Sequence, residues 1–162
     1  MGQETRKLLE ILRNGGVEFV LVGGWAAILH GSARTTLDLD VVYRRNKENI
    51  AKLSTALQSI SPYLRGAPPG LPFQWDERTI RNGLNFTLTT SLGDIDFLGE
   101  IAGAGMYEDV LKSAIEMEFF EGKYRVISLD GLITAKRAAG RPKDLEVIAE
   151  LELLHREHRG KQ

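Results

Sequence analysis

The sequence predicts an α/β (α+β) fold: a short mixed β-sheet flanked by helices, with a small helical element at the C-terminal end. Three observations carry that prediction. Short apolar runs such as Phe19–Val22 alternate along the chain with stretches of helical spacing. The segments around Asp38 and Asp94 show strict two-residue alternation. Glycines and prolines punctuate the boundaries between these runs. At 162 residues the chain is long enough for one real core. The expected division is a core over 1–127 and a C-terminal helical element of the same domain over 128–162.

Leu8, Leu9, Ile11 and Leu12 make a helical stripe that Asn14-Gly15-Gly16 can end. Val17–Val22 reads as a buried strand, Trp25–His30 as a short helix and Leu37–Tyr43 as a second strand. Ile50, Leu53, Leu57 and Ile60 mark a helix from about Lys47 that Pro62 stops. Pro62, Pro68, Pro69 and Pro72 make the segment Ser61–Asp76 an irregular surface loop or lid. Leu84–Thr89 and Asp94–Leu98 read as strands joined by a tight turn at Thr90–Gly93. Glu108–Met117 reads as a helix and Tyr124–Ile127 as a short strand. Ser128 is an N-cap for a helix ended by Gly140. Pro142 opens a last helix with a stripe of Leu145, Ile148, Leu151 and Leu154, and the chain is expected to fray from Gly160 to Gln162.

Composition excludes several classes. A net charge of −1 gives no global basic surface of the kind nucleic-acid binders advertise, while a local patch stays open. The chain has no cysteine, so disulfides, zinc–thiolate sites and cysteine nucleophiles are ruled out. The first residues run into an amphipathic helix rather than a signal-peptide apolar region, and no apolar run approaches the ~20 residues of a membrane span. The expectation is a soluble cytoplasmic protein without a membrane partner.

Chemistry concentrates between Val22 and Val42. An apolar run breaks at Gly23-Gly24, a short helical pattern follows, and a second apolar run carries Asp38 and Asp40. On a strand these two carboxylates share a face, with Cα atoms roughly 6.6 Å apart. Adjacent ionised carboxylates repel unless a cation lies between them, and Mg²⁺ or Mn²⁺ favours oxygen ligands of this kind. The glycines let backbone N–H groups approach an anion. An anion cradle close to a divalent-metal site suggests a nucleoside triphosphate. Asp94 and Asp96 repeat the alternation, and periodicity puts both on one face.

These residues, Gly23-Gly24, Asp38-x-Asp40 and a later strand aspartate, resemble the nucleotidyltransferase superfamily that includes DNA polymerase beta. His30-Gly31, Arg34-x-Thr36-x-Asp38-Leu39-Asp40, Gly93-x-Ile95-Asp96-Phe97-Leu98 and Leu132-Ile133-x-x-Lys136 through Asp144 resemble a bacterial branch of minimal nucleotidyltransferases and type IV toxin-like proteins. The resemblance runs from about Val17 to Leu151. It departs at Gly24, where many members carry serine. It implies transfer of a nucleoside monophosphate from an NTP to an acceptor hydroxyl. Asp38, Asp40 and Asp96 would be catalytic and metal-binding with Mg²⁺ or Mn²⁺, and Gly23, Gly24, Arg34 and Lys136 would bind the nucleotide. It selects Asp96 over Asp94 as the third carboxylate. The acceptor is left open among RNA, protein and a small molecule. An alternative is a nucleotide-binding module that needs a partner subunit, or a toxin component held by an antitoxin.

Ordinary readings stand beside these. Arg34 can be a surface arginine, and Lys143 with Asp144 a structural ion pair. His30 is expected to pack the short helix on the sheet, and His155 and His158 to lie on a solvated face. Trp25 and Trp75 could stack a base, but core or lid packing is the ordinary role of each.

Overall fold

The computed structural model describes residues 2–160. Helix α1 (Gln3–Asn14) buries Leu8, Leu9 and Leu12 and ends at Gly15. Strand β1 (Phe19–Val22) is buried along its whole length, so both faces of the sheet are covered there. It leads into α2 (Gly23–Leu29) and then β2 (Leu39–Tyr43). Helix α3 (Lys47–Ala56) is capped by Asn46, whose side chain accepts the N–H of Asn49. After a 3-10 turn come β3 (Tyr63–Leu64), α4 (Glu77–Asn82), β4 (Phe86–Thr90) and β5 (Gly93–Leu98). A small hairpin of β6 (Glu100–Ile101) and β7 (Gly105–Met106) precedes α5 (Tyr107–Leu111). Strands β8 (Ile115–Phe119) and β9 (Gly122–Val126), helix α6 (Leu129–Ala139) and helix α7 (Leu145–Gly160) complete the chain.

The main sheet has the order β3-β4-β5-β2-β1-β9-β8. It is mixed: β1 pairs with β9 and β2 with β5 in parallel, and the other neighbours are antiparallel. Tyr43, Phe97 and Trp75 fill the core beside β2 and β5; the Phe97 ring is stacked 5.7 Å from Trp75 and edge-on 6.2 Å from Tyr43. The Ser128 hydroxyl accepts the N–H of Gly131 at the start of α6, and Gly140 ends that helix in the left-handed conformation.

Several sequence expectations are corrected. β2 begins at Leu39 rather than Leu37, and Leu37 is 92% exposed instead of filling a face. Asp38 lies outside the ladder, so no strand alternation directs Leu37 inward. The segment Ser61–Asp76 is not wholly irregular, because Tyr63 and Leu64 pair with β4 as an edge strand, the position where neighbouring prolines leave no ladder bond unmade. Glu108–Met117 is not one helix: it divides into α5 and β8. Strands β8 and β9 close through Phe120 and Glu121, both at positive φ (50° and 60°), the geometry of a two-residue hairpin turn. Helix α4 and the β6–β7 hairpin have no counterpart in the sequence reading. In α7 the inward residue is Leu151, while Leu145 is exposed. The fraying expected from Gly160 is not seen at that residue, which is helical; Lys161 and Gln162 lie outside the described residues. Among the described residues no helix is long and apolar enough to cross a membrane.

Candidate functional site

The parallel pairing of β2 with β5 sets the site, because it registers Asp40 opposite Asp96. Two carboxylates thus meet near the carboxyl end of β1, where Gly23 opens α2. Gly23 sits at φ +66°, and a Cβ there would lie 2.1 Å from Asp40 Oδ2. Only glycine permits both the left-handed turn and that close approach. Gly24 is packed as tightly on another element: its Cβ would lie 2.8 Å from Thr36 Cβ and Oγ1.

Asp40 is half-buried among like charges. Burial first, then the charge and hydrogen bond of Asp96, then the charge of Asp38, push its carboxyl up to about 7, against an opposing pull from Arg65. Arg65 is the cation of the cluster. Its Nη2 lies 2.9 Å from Asp96 Oδ1, its Nε 3.2 Å from Asp94 Oδ2 and its Nη1 3.7 Å from Asp38 Oδ2. These contacts are ionic but poorly aligned, so Asp96 Oδ1 and Arg65 Nε are buried without a hydrogen-bond partner. Among the described residues, no three carboxylate or imidazole groups stand ready-arranged around one point.

Two hollows flank Asp40. One, of about 390 Å³, is lined by Gly23, Gly24, Arg34, Thr36, Asp38, Lys136 and Lys143. The other, of about 260 Å³, runs between the end of β5 and α6 and is walled by Leu98, Ile101, Leu132 and Ala135, with Lys136 and Arg141 at its edge. Lys136 and Asp40 border both. One hollow is basic and the other mainly apolar, which suits an ionised group joined to a flatter apolar one.

The structure therefore gathers Asp38, Asp40, Asp96, Gly23, Gly24, Arg34 and Lys136 around one region. Arg34 is at the wall, yet its guanidinium lies 3.6 Å from Glu146 and 3.7 Å from Glu150 of α7. Lys136 Nζ is 3.5 Å from Asp144, whose carboxylate is held chiefly by Arg141 at 2.8 Å. The expected Lys143–Asp144 pair is replaced by these contacts, and Lys143 lines the basic hollow instead. His30 Nε2 donates to the Ile127 carbonyl at 2.7 Å, and burial lowers its pKa. His155 is paired with Asp130 at 3.1 Å rather than purely solvated. Trp25 and Trp75 are core residues, and Trp75 Nε1 donates to Leu53 O.

Sequence reasoning missed Arg65. Its segment is rich in proline and reads as loop, and no spacing ties it to the aspartates. The one available signal was the apolar pair Tyr63-Leu64 just before it, which fits a short edge strand.

No protein-family model and no curated protein matches the chain. Solved structures do. The lincosamide antibiotic adenylyltransferase LnuA, with lincomycin bound, aligns with a TM-score of 0.61 at 16% identity, over 95% of this chain and 98% of that one. ANT(2")-Ia in complex with adenylyl-2"-tobramycin aligns with a TM-score of 0.56 at 16% identity, over 98% of each chain. TM1012, a proposed nucleotidyltransferase from Thermotoga maritima, aligns with a TM-score of 0.57 at 17% identity, over 90% of this chain and 88% of that one. The chain has the nucleotidyltransferase fold.

Proposed function

We propose that this chain transfers a nucleoside monophosphate from a nucleoside triphosphate to an acceptor hydroxyl. The observation that carries the reading is the Asp40–Asp96 register pair, in which Asp40, together with Asp38, lines a hollow shared with Gly23, Gly24, Lys136 and Lys143. Lysine ammonium groups attract a triphosphate, and the backbone N–H groups opening α2 have no intrahelical acceptor. Gly23 and Gly24 let a phosphate approach that backbone without a side chain in the way. Arg34 at the same wall adds a guanidinium if it exchanges its α7 carboxylates for phosphate oxygens.

Asp38, Asp40 and Asp96 are hard-oxygen donors that would have to draw together around an ion, and the buried Asp96 Oδ1, without a hydrogen bond, already faces the Arg65 cation. Asp38, Asp40 and Asp96 would hold Mg²⁺ or Mn²⁺, which when bound neutralises charge on the triphosphate. Asp96 is the residue we assign to the acceptor hydroxyl. As the acceptor oxygen bonds to the α-phosphorus, its proton passes to the Asp96 carboxylate. The bond from the α-phosphorus to the bridging oxygen breaks, and pyrophosphate leaves with that oxygen. The walls formed by α6 and α7 position the two reactants, which is the main source of rate in this chemistry.

A small-molecule hydroxyl is the acceptor class to test first. Two of the matching structures hold an antibiotic or its adenylylated product, and each aligns over nearly the whole of both chains. The test is a thermal-melt titration of wild type and Asp40→Asn with ATP, GTP, CTP and UTP, with and without Mg²⁺ or Mn²⁺. A metal-dependent rise for one base, lost in the variant, is the expected outcome, since a ligand that binds only the native state raises the melting point. No rise with any nucleotide would overturn the reading.

A further inference from the structure

Arg65 has no role in the transfer just described, yet it touches more of the carboxylate cluster than any other side chain. Its position is fixed from two sides. Its backbone N–H donates to Thr87 O at 3.0 Å, continuing the β3–β4 ladder, and Nη2 donates to Leu88 O at 2.8 Å. The side chain is three-quarters buried, with 25% exposure. From that anchor the guanidinium spans Asp38, Asp94 and Asp96.

Two of those three carboxylates, Asp38 and Asp96, are ones the proposed function gives to a divalent ion. A guanidinium beside a carboxylate neutralises the charge that would draw a divalent ion and repels the ion itself, although each carboxylate keeps a second oxygen. We propose that Arg65 is a built-in counter-cation that competes with a divalent ion for Asp38 and Asp96, so that the bare chain binds the metal weakly. Tight metal binding then depends on the triphosphate, whose own oxygens complete the ligand set. The poor alignment of the Arg65 ion pairs, which leaves Asp96 Oδ1 and Arg65 Nε without a hydrogen bond, suits a cation that holds these oxygens and can release them. This rests on the metal-site reading above.

The experiment is a Mn²⁺ titration of the full chain without nucleotide, followed by the electron paramagnetic resonance of free Mn²⁺, on wild type and Arg65→Gln. The variant should bind Mn²⁺ at least tenfold more tightly, an effect no purely structural role would produce. Equal or weaker binding by a folded Arg65→Gln overturns the proposal while leaving the metal site standing. A wild type and variant that both ignore Mn²⁺, with or without ATP, overturn the metal-site reading itself. Should Arg65→Gln fail to fold, ¹⁵N-arginine-labelled wild type titrated with Mg²⁺ gives the second test, with Arg65→Lys identifying the resonance. Binding must shift the Arg65 Nε–H signal; saturation with that signal unmoved overturns the proposal.

Discussion

Asp40 on β2 stands directly across from Asp96 on β5 in a parallel ladder, and the Asp96 charge helps push the Asp40 carboxyl up. Replacing one charge by its neutral isostere separates function from stability. Asp40→Asn should raise the melting temperature at pH 8 by a few degrees, about 1 kcal/mol, because it removes buried like-charge repulsion. The same change should lower nucleotide transfer by more than ~100-fold. Calorimetry and a labelled-NTP transfer assay read the two effects.

The same carboxyl makes stability depend on pH. Its folded pKa, about 7, lies above the ordinary carboxylate value of 3.8, so between those values the native chain holds a proton that the unfolded chain has lost. Stability from this group is full below pH 4, falls as pH rises towards 7, and levels off above it. Wild type minus Asp40→Asn, measured by urea unfolding from pH 4 to pH 8, should show that fall; a flat difference would refute it.

Gly23→Ala should destabilise the protein by more than ~1 kcal/mol. The left-handed φ of +66° and the 2.1 Å approach to Asp40 both oppose a methyl group. Denaturant midpoints test it, and nucleotide-induced melting shifts should weaken in parallel.

Gly24 and Thr36 form a pair that a double-mutant cycle can resolve. Gly24→Ala alone should cost ~1–3 kcal/mol, since its Cβ meets Thr36 at 2.8 Å. In the Thr36→Ala background the penalty should shrink by at least ~0.5 kcal/mol. Additive effects would mean the two do not compete for the same space.

Trp75→Ala should cost ~3–5 kcal/mol, as expected for a large buried aromatic. Trp75 packs on Phe86 and Phe97 even though it ends the proline-rich stretch. Thermal unfolding checks this; a change under 1 kcal/mol would show that the segment is a detachable lid.

What the sequence by itself determined is the local part of this protein. The α1 stripe, the Ser128 cap and Gly140 stop of α6, and the alternation from Asp94 to Leu98 all depend on neighbours a few positions away, and each is readable. Spacing likewise singles out Asp38, Asp40, Asp96 and Gly23-Gly24 as candidates. Tertiary structure decided the rest. Ile115–Phe119 becomes a strand because β9 is there to pair with it, and a helix or strand reading of so short an amphipathic run is settled by its partner. Tyr63 and Leu64 become an edge strand because β4 offers a ladder. Only that pairing carries Arg65 to the aspartates, and only the β2–β5 register sets Asp96 opposite Asp40. Spacing along a chain fixes which side chains share a face; the pairing of distant strands fixes which charges must share a site.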